Sequence, residues 1–424
     1  MPERDAVHEA GKVHSGTASR TMVDEIRRQN LRQVLLLAHR SGPLSRAELT
    51  RATGLNRSTI GGLVAELQER GLVHAHAATP TRKVGRPSAA VSASTQTVAI
   101  AVNPEVDTID VALVSLGGRV VHRVRYANDH IPTPAEFVNI VGAIIEGMRP
   151  DQLGLRSVGV GLAIPGLVRE ADGRVLLAPH LDWRDVPVAA MLEAKIGLPV
   201  VGANDANCGI LAEVAFGAAS GTGVIVYLNG GASGIGSGIV IDGQLIRGSG
   251  GHAGEFGHTL VNSMGSSCHC GAVGCLETEV RLDRLIAAAG ARPSTAAEMN
   301  ALVSDAWHHP QSACGRELHR QLPYLATAFR TIINALNPVQ LVLGGYLAAI
   351  LLAAGETALT DRIGPSLPGA REEVSLAATQ LGDGLLLIGA AELVFAPLVD
   401  DPASQQRVDG AIASNLESRP ALKL

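Results

Sequence analysis

The hydrophobic period of the chain changes at about Ser94, and one simple layer of secondary structure does not accommodate both sides of that change. Upstream, apolar residues recur every three or four positions, the spacing of a helix face. Downstream, apolar runs of strand length alternate with helical segments, the pattern of an α/β body. A small helical head on a larger α/β body is therefore expected. A length of 424 residues leaves room for that body to divide into two lobes with a cleft.

In the head, Met22, Ile26, Leu31, Val34, Leu35 and Ala38 predict a first helix reaching Arg40, preceded by a disordered tail over residues 1–21. Ser45-Arg46-Ala47-Glu48 is a capping box, so a short helix starts there and stops at Gly54. Asn56 caps a third helix whose Ile60, Leu63, Val64 and Leu67 form one apolar stripe, ended by Gly71. Extended stretches at 72–77 and 89–94 flank a basic tip, the form of a winged hairpin. The whole segment 22–92 reads as a winged helix-turn-helix. Arg57, Ser58 and Thr59 stand at the start of the second helix of the motif, where base edges are read, and Ser45 and Arg46 stand at the start of the first. Arg82, Lys83, Gly85, Arg86 and Pro87 form the wing tip, with Arg86 suited to a minor groove.

Charge supports the same reading. Residues 1–90 carry 14 Lys and Arg against 8 Asp and Glu, whereas the remainder carries 21 against 32. A basic head on an acidic body meets a polyanion at the head, and double-stranded DNA with an inverted repeat is the expected partner. A helical domain for protein contacts is the alternative, and it does not account for the wing. No apolar run long enough to span a membrane and no apolar leader segment is recognised, so a cytoplasmic protein is expected.

In the body, strands are expected at Val98–Val102, Ile109–Leu116, Arg119–Tyr126 and Ser157–Ala163, with a helix at 135–148. The most specific stretch is Gly251–Glu277, GHAGEFGHTLVNSMGSSCHCGAVGCLE. It presents His258, Cys268, Cys270 and Cys275, three thiols and an imidazole, which make the donor set of a closed structural zinc site with one ion per chain. Cys208 and Cys314 fall outside it and read as small buried residues. His252 and His269 read as surface or packing histidines.

This stretch, with GLAIPGLV at 161–168, NDAN at 204–207, LNGGASGIGSGIVIDGQLIRGSGG at 228–251, LNPVQLVLGG at 336–345 and LGDGLLLIGAA at 381–391, resembles the ROK family of repressors, open reading frames and kinases. The likeness runs from about residue 22 to 398, and the head matches the repressor branch. The fold it implies is α/β: an N-terminal winged helix-turn-helix plus a two-lobed, actin-like (ribonuclease H-like) sugar-kinase body over 93–400. The lobes would be about 93–205, with the helix 386–398, and 206–385, followed by a flexible tail over 401–424.

The resemblance also assigns residues. Asn204 and Asp205 match a sugar-contacting pair in which the aspartate is the general base of the kinases. Glu255 and Glu277 match carboxylates that accept from sugar hydroxyls, Pro165 and Gly166 match a loop over the sugar, and His258 matches a zinc ligand lying against it. One landmark departs: His180 stands where the family usually has asparagine. At the turn where the kinases cradle ATP phosphates, this chain reads Asn103-Pro104-Glu105-Val106-Asp107-Thr108. Proline offers no N–H and the acids repel phosphate, so Asp205 is expected to be a vestigial base. The expectation is a non-enzymatic, sugar-responsive repressor, binding a sugar or sugar phosphate and forming a homodimer or homotetramer. A ROK sugar kinase with an accessory DNA-binding head is the alternative.

Overall fold

The computed structural model describes residues 13–76, 89–219, 222–231, 234–364 and 366–404. The head has three helices, Val13–Ser41, Arg46–Thr53 and Arg57–Glu69. They rest on an antiparallel sheet in the order Leu44–Ser45, Ala90–Ala93, Val73–His76. Both caps form as the residue types dictate. The Glu48 N–H donates to Ser45 Oγ and the Ser45 N–H donates to the Glu48 carboxylate, while the Thr59 N–H donates to Asn56 Oδ1. Gly54 closes the second helix at φ 72°, a left-handed conformation that favours glycine. The stripe Ile60, Leu63, Val64 and Leu67 is buried with Leu31, Val34, Leu35 and Ala38 of the first helix.

At both ends the described residues reach past the expected domain boundaries. The first helix begins at Val13, inside the segment expected to be a disordered tail. No proline interrupts it, so a helix nucleated by its packed half propagates backward. At the other end, residues 401–404 are placed, with the Arg70 guanidinium donating to the Ala403 carbonyl.

The first lobe is a five-stranded mixed sheet in the order Val200–Asn204, Arg156–Ile164, Thr97–Pro104, Thr108–Ser115, Val120–Ala127. Alternation along Thr97–Pro104 divides two cores. Ile100 and Val102 pack with Phe137 and Val141 of helix Pro134–Met148 and with Leu192 of helix Val188–Ile196. Ala99 and Ala101 pack with Leu387, Ile388 and Phe395 of helix Leu385–Asp400. That second face is paved with small residues, including Ala112, Ala163 and Ala203. A Cβ on Gly161 would sit 1.9 Å from the Ala390 carbonyl oxygen, so helix and sheet meet backbone to backbone.

The second lobe has a sheet in the order Gln244–Leu245, Gly234–Ile241, Val224–Gly231, Gln340–Gly344, Ser375–Ala378. Helices Ala313–Leu336 and Gly345–Ala354 share its core. The helix Leu385–Asp400 then returns the chain to the first lobe, where it also packs on helix Asp205–Phe216. The stretch Gly382–Asp400 is long and apolar enough to cross a membrane by length and composition, although Asp383, Glu392 and Asp400 interrupt it. Half of it is buried between the sheet and its neighbouring helix, and this accounts for its apolar composition.

Candidate functional site

At the head, Arg57 and Ser58 are exposed at the first turn of helix Arg57–Glu69, and Thr59 is half-buried. The Ser58 hydroxyl donates to Asn56 Oδ1 at 2.6 Å, which leaves Arg57 as the long, unencumbered side chain of that turn. Arg46 is exposed, whereas Ser45 is committed to its cap. Arg82, Lys83, Gly85, Arg86 and Pro87 lie outside the described residues.

Between the lobes lies a cleft of about 360 Å³. All seven residues singled out for sugar contact line it: Pro165, Gly166, Asn204, Asp205, Glu255, His258 and Glu277. Local rules place each one. Asn204 ends a strand of the first sheet and caps the helix Asp205–Phe216, its Oδ1 accepting the Ala206 N–H at 2.9 Å. Its Nδ2 donates to the Gly166 carbonyl at 2.9 Å, tying the Pro165–Gly166 loop to the cap and leaving one N–H for a ligand. Asp205 Oδ1 accepts from Ala206 N–H at 2.8 Å. The strand Gly234–Ile241 runs past it, and Gly234 and Gly236 keep the cleft open there; a Cβ on Gly234 would sit 2.6 Å from Glu277 Oε2. Glu255 makes no capping bond, so its carboxylate is free to face the cleft.

The carboxylates are electrostatically strained. Burial pushes Asp205 up to about 7, and the charges of Glu105 and Glu255 add to the rise. Glu255 is raised by burial first and by Glu277 to a lesser degree, with the neighbouring histidines opposing. Glu105, in the turn where a phosphate cradle would lie, accepts from Asn103 Nδ2 at 3.1 Å. Desolvation raises it above the ordinary carboxylate value, and Asp107 and Asp110 raise it further.

Beside the cleft, His258 Nδ1 or Nε2 and the sulfurs of Cys268, Cys270 and Cys275 lie within 4.8 Å of one another. Cys270 Sγ and Cys275 Sγ are 3.7 Å apart, and Cys268 Sγ is 3.5 Å from His258 Nδ1. A tetrahedral zinc with Zn–S of about 2.3 Å and Zn–N of about 2.0–2.1 Å has ligand–ligand edges of about 3.5–3.8 Å. The donors therefore form a cluster that could hold a metal ion, with spacing compatible with zinc. Gly274 makes the fold of this loop possible: at φ 75° its Cβ would lie 1.6 Å from the Asn262 carbonyl oxygen. Glu277 Oε1 contacts the cluster from the cleft side, 3.1 Å from both Cys268 Sγ and His269 Nδ1.

Several cleft residues escape sequence reading. His252 and His269, expected to be surface or packing histidines, both line the cleft, as do Asn229 and Leu177. His180, noted as a departure, is in the wall as well. His269 had a signal, since a residue between Cys268 and Cys270 must stand beside their cluster. Asn229 lies in the run 228–251 that carries the family resemblance, but strand pairing is what brings it to the cleft. Trp183 and Tyr346 are buried packing residues, and Cys208 and Cys314 are buried as expected.

Comparison with known proteins agrees with this geometry. Residues 26–83 match the MarR family and residues 99–396 match the ROK family. The chain is 26% identical over 389 residues to the xylose repressor of Bacillus spizizenii, covering 90% of this chain and 98% of that protein. Among solved structures, it resembles a ROK family transcriptional regulator, a homologue of the Escherichia coli MLC protein, with a TM-score of 0.70 at 26% identity, covering 89% and 98% of the two chains. A ROK glucokinase from Streptomyces griseus, solved with glucose and AMPPNP, matches with a TM-score of 0.57 at 27% identity, covering 70% of this chain and 98% of that one. With a MarR-type head and a two-lobed body matched over most of its length, the chain belongs to the ROK family.

Proposed function

We propose that the protein is a sugar-responsive transcriptional repressor whose winged head binds operator DNA and whose cleft binds the effector. The observation that carries this reading is the joining of head and cleft in one chain that spans 98% of a xylose repressor, whereas the glucokinase corresponds to 70% of the chain. Asn204, Asp205, Glu255 and Glu277 supply the fixed amide and carboxylates that sugar hydroxyls need as partners, and Pro165 and Gly166 form the adjoining loop. Zinc held by His258, Cys268, Cys270 and Cys275 braces that wall, since His258 belongs to both cluster and cleft. Arg57, with Ser58 and Thr59, reads the major groove, and a homodimer presents two such helices to an inverted repeat. The wing tip, Arg82 to Pro87, adds minor-groove contacts.

The kinase alternative is disfavoured by the turn at 103–108. Pro104 has no N–H to offer, and Glu105 sets a carboxylate where a phosphate would approach. The test combines a thermal-shift screen over free sugars, amino sugars and their phosphates with gel shifts and an ATP-turnover assay on each sugar that binds. The expected result is a sugar that raises Tm and changes operator affinity without ADP release. ADP release that depends on the sugar and vanishes in Asp205→Asn would establish the kinase instead.

A further inference from the structure

The last turn of the head's first helix carries His39, which is 3% exposed and inserted into the body. Three body elements hold its ring. The Gly117 N–H, from the turn between strands Thr108–Ser115 and Val120–Ala127, donates to His39 Nδ1 at 2.9 Å. His39 Nε2 lies 3.1 Å from both carboxylate oxygens of Glu392. With Nδ1 occupied as an acceptor, the ring proton sits on Nε2 and is donated to Glu392. Phe216 and Phe395 meet the ring edge-on at centroid distances of 5.1 and 5.9 Å.

Phe216 is the last residue of the helix whose first residue, Asp205, lines the cleft. At 1.5 Å per residue, that helix reaches about 18 Å from the cleft wall to the His39 socket. It does not move alone, because a Cβ on Gly389 would sit 1.9 Å from the Cys208 carbonyl oxygen. The backbones of helices Asp205–Phe216 and Leu385–Asp400 touch there, so the pair carries Phe216, Glu392 and Phe395 as one body. Beside the socket is a cavity of about 430 Å³, lined by Arg32, Leu36 and Arg40 of the head helix and by Leu211 and Val214 of the body. It gives the head helix room to shift.

We propose that His39 is the positioning residue through which a sugar-driven displacement of helix Asp205–Phe216 reaches the DNA-binding head. This rests on the sugar-responsive reading above. The helix pair moves the socket, and His39, gripped at both nitrogens and on its ring edges, transfers the motion to the helix that ends one turn before the reading motif. Coupling of this kind requires contacts that differ between the sugar-free and sugar-bound states, and His39 is where the head helix meets Phe216, the far end of the helix that starts at the cleft.

The experiment uses the full chain, a DNA duplex that the natural chain enriches from a random pool, and D-xylose, D-glucose, N-acetyl-D-glucosamine and their phosphates as probes. In the natural chain the active sugar changes duplex affinity by about 5- to 150-fold, the usual range of such coupling. It also changes the exchange rate of the Gly117 amide, which reports directly on the bond to His39. In His39→Gln and in Phe216→Leu, sugar affinity by calorimetry and sugar-free duplex affinity stay within about 3-fold of the natural chain, while the sugar-induced change in duplex affinity collapses toward 1. Phe216→Leu only trims the ring contact, so it carries the test if His39→Gln does not fold. A natural chain that responds to sugar, beside variants that respond equally, overturns the assignment of His39 and leaves the repressor reading standing. A natural chain whose duplex affinity no probe alters overturns both.

Discussion

Replacing Asp205 by asparagine should stabilise the sugar-free protein, and by an amount that depends on pH. The amide keeps the acceptor for the Ala206 N–H, so the helix cap survives. What the substitution removes is a carboxylate whose folded-state pKa stands at about 7 against an ordinary 3.8, through burial first and through Glu105 and Glu255 second. Because the folded value is the higher one, the folded chain retains a proton between about pH 4 and about pH 7 that the unfolded chain has lost. The natural protein therefore loses stability as pH rises through that window and no more above it. At about 1.4 kcal/mol per unit, the full loss is about 4 kcal/mol. Asp205→Asn escapes it, gaining about 1–2 kcal/mol at pH 5 and about 4 kcal/mol at pH 8. Thermal unfolding without sugar reads this as a Tm difference of roughly 8 °C at pH 8, taking about 2 °C per kcal/mol for a chain of this size. A Tm difference that is the same at pH 5 and pH 8, or a natural protein that is the more stable at pH 8, would refute the argument. The same variant should lose its response to sugar, so a carboxylate that costs the fold stability is one the cleft uses.

Three further outcomes and one control are expected. Cys275→Ser should lower metal content well below one zinc per chain and weaken sugar binding together; a full equivalent of zinc in the variant would contradict the ligand set. Arg57→Ala should cost about 1–3 kcal/mol of specific DNA binding with little change in Tm, measured by gel shift at a stated salt concentration. Gly389→Ala should destabilise by about 1–3 kcal/mol or more, because its Cβ has no space against Cys208. Gly61→Ala, in an open helical position, should not destabilise and serves as the control for stability.

The head was legible because its signals are local. Ser45 with Glu48, Asn56 with Thr59, and Gly54 each act within four residues, and each does so in the structure. The two-residue strand Leu44–Ser45 escaped, since its existence depends on pairing with Val91 and Ala90. In the body, strand positions could be read, but the sheet order could not, because parallel pairs such as Val200–Asn204 with Arg156–Ile164 carry no local signature. The cleft was legible where motifs recur in a known family and not where long-range packing alone places a residue, as with Leu177. His39 illustrates the limit: it sits among ordinary helical residues, and its partners Gly117, Phe216 and Glu392 are distant in sequence.

The return of helix Leu385–Asp400 to the first lobe has a consequence for biosynthesis. A ribosome delivers the head first, yet the ion pair Arg32–Asp400 joins residues 368 apart, and Glu392 and Phe395 complete the socket for His39. The nascent head can assemble its own small core early, since domains fold as units in order of synthesis. Gly117 and Phe216 offer it part of a dock, but the socket stays incomplete until this helix has emerged and seated against Gly161. Through most of translation the head thus lacks one wall of its dock, and a chain stopped before residue 385 would carry a His39 without Glu392 and Phe395.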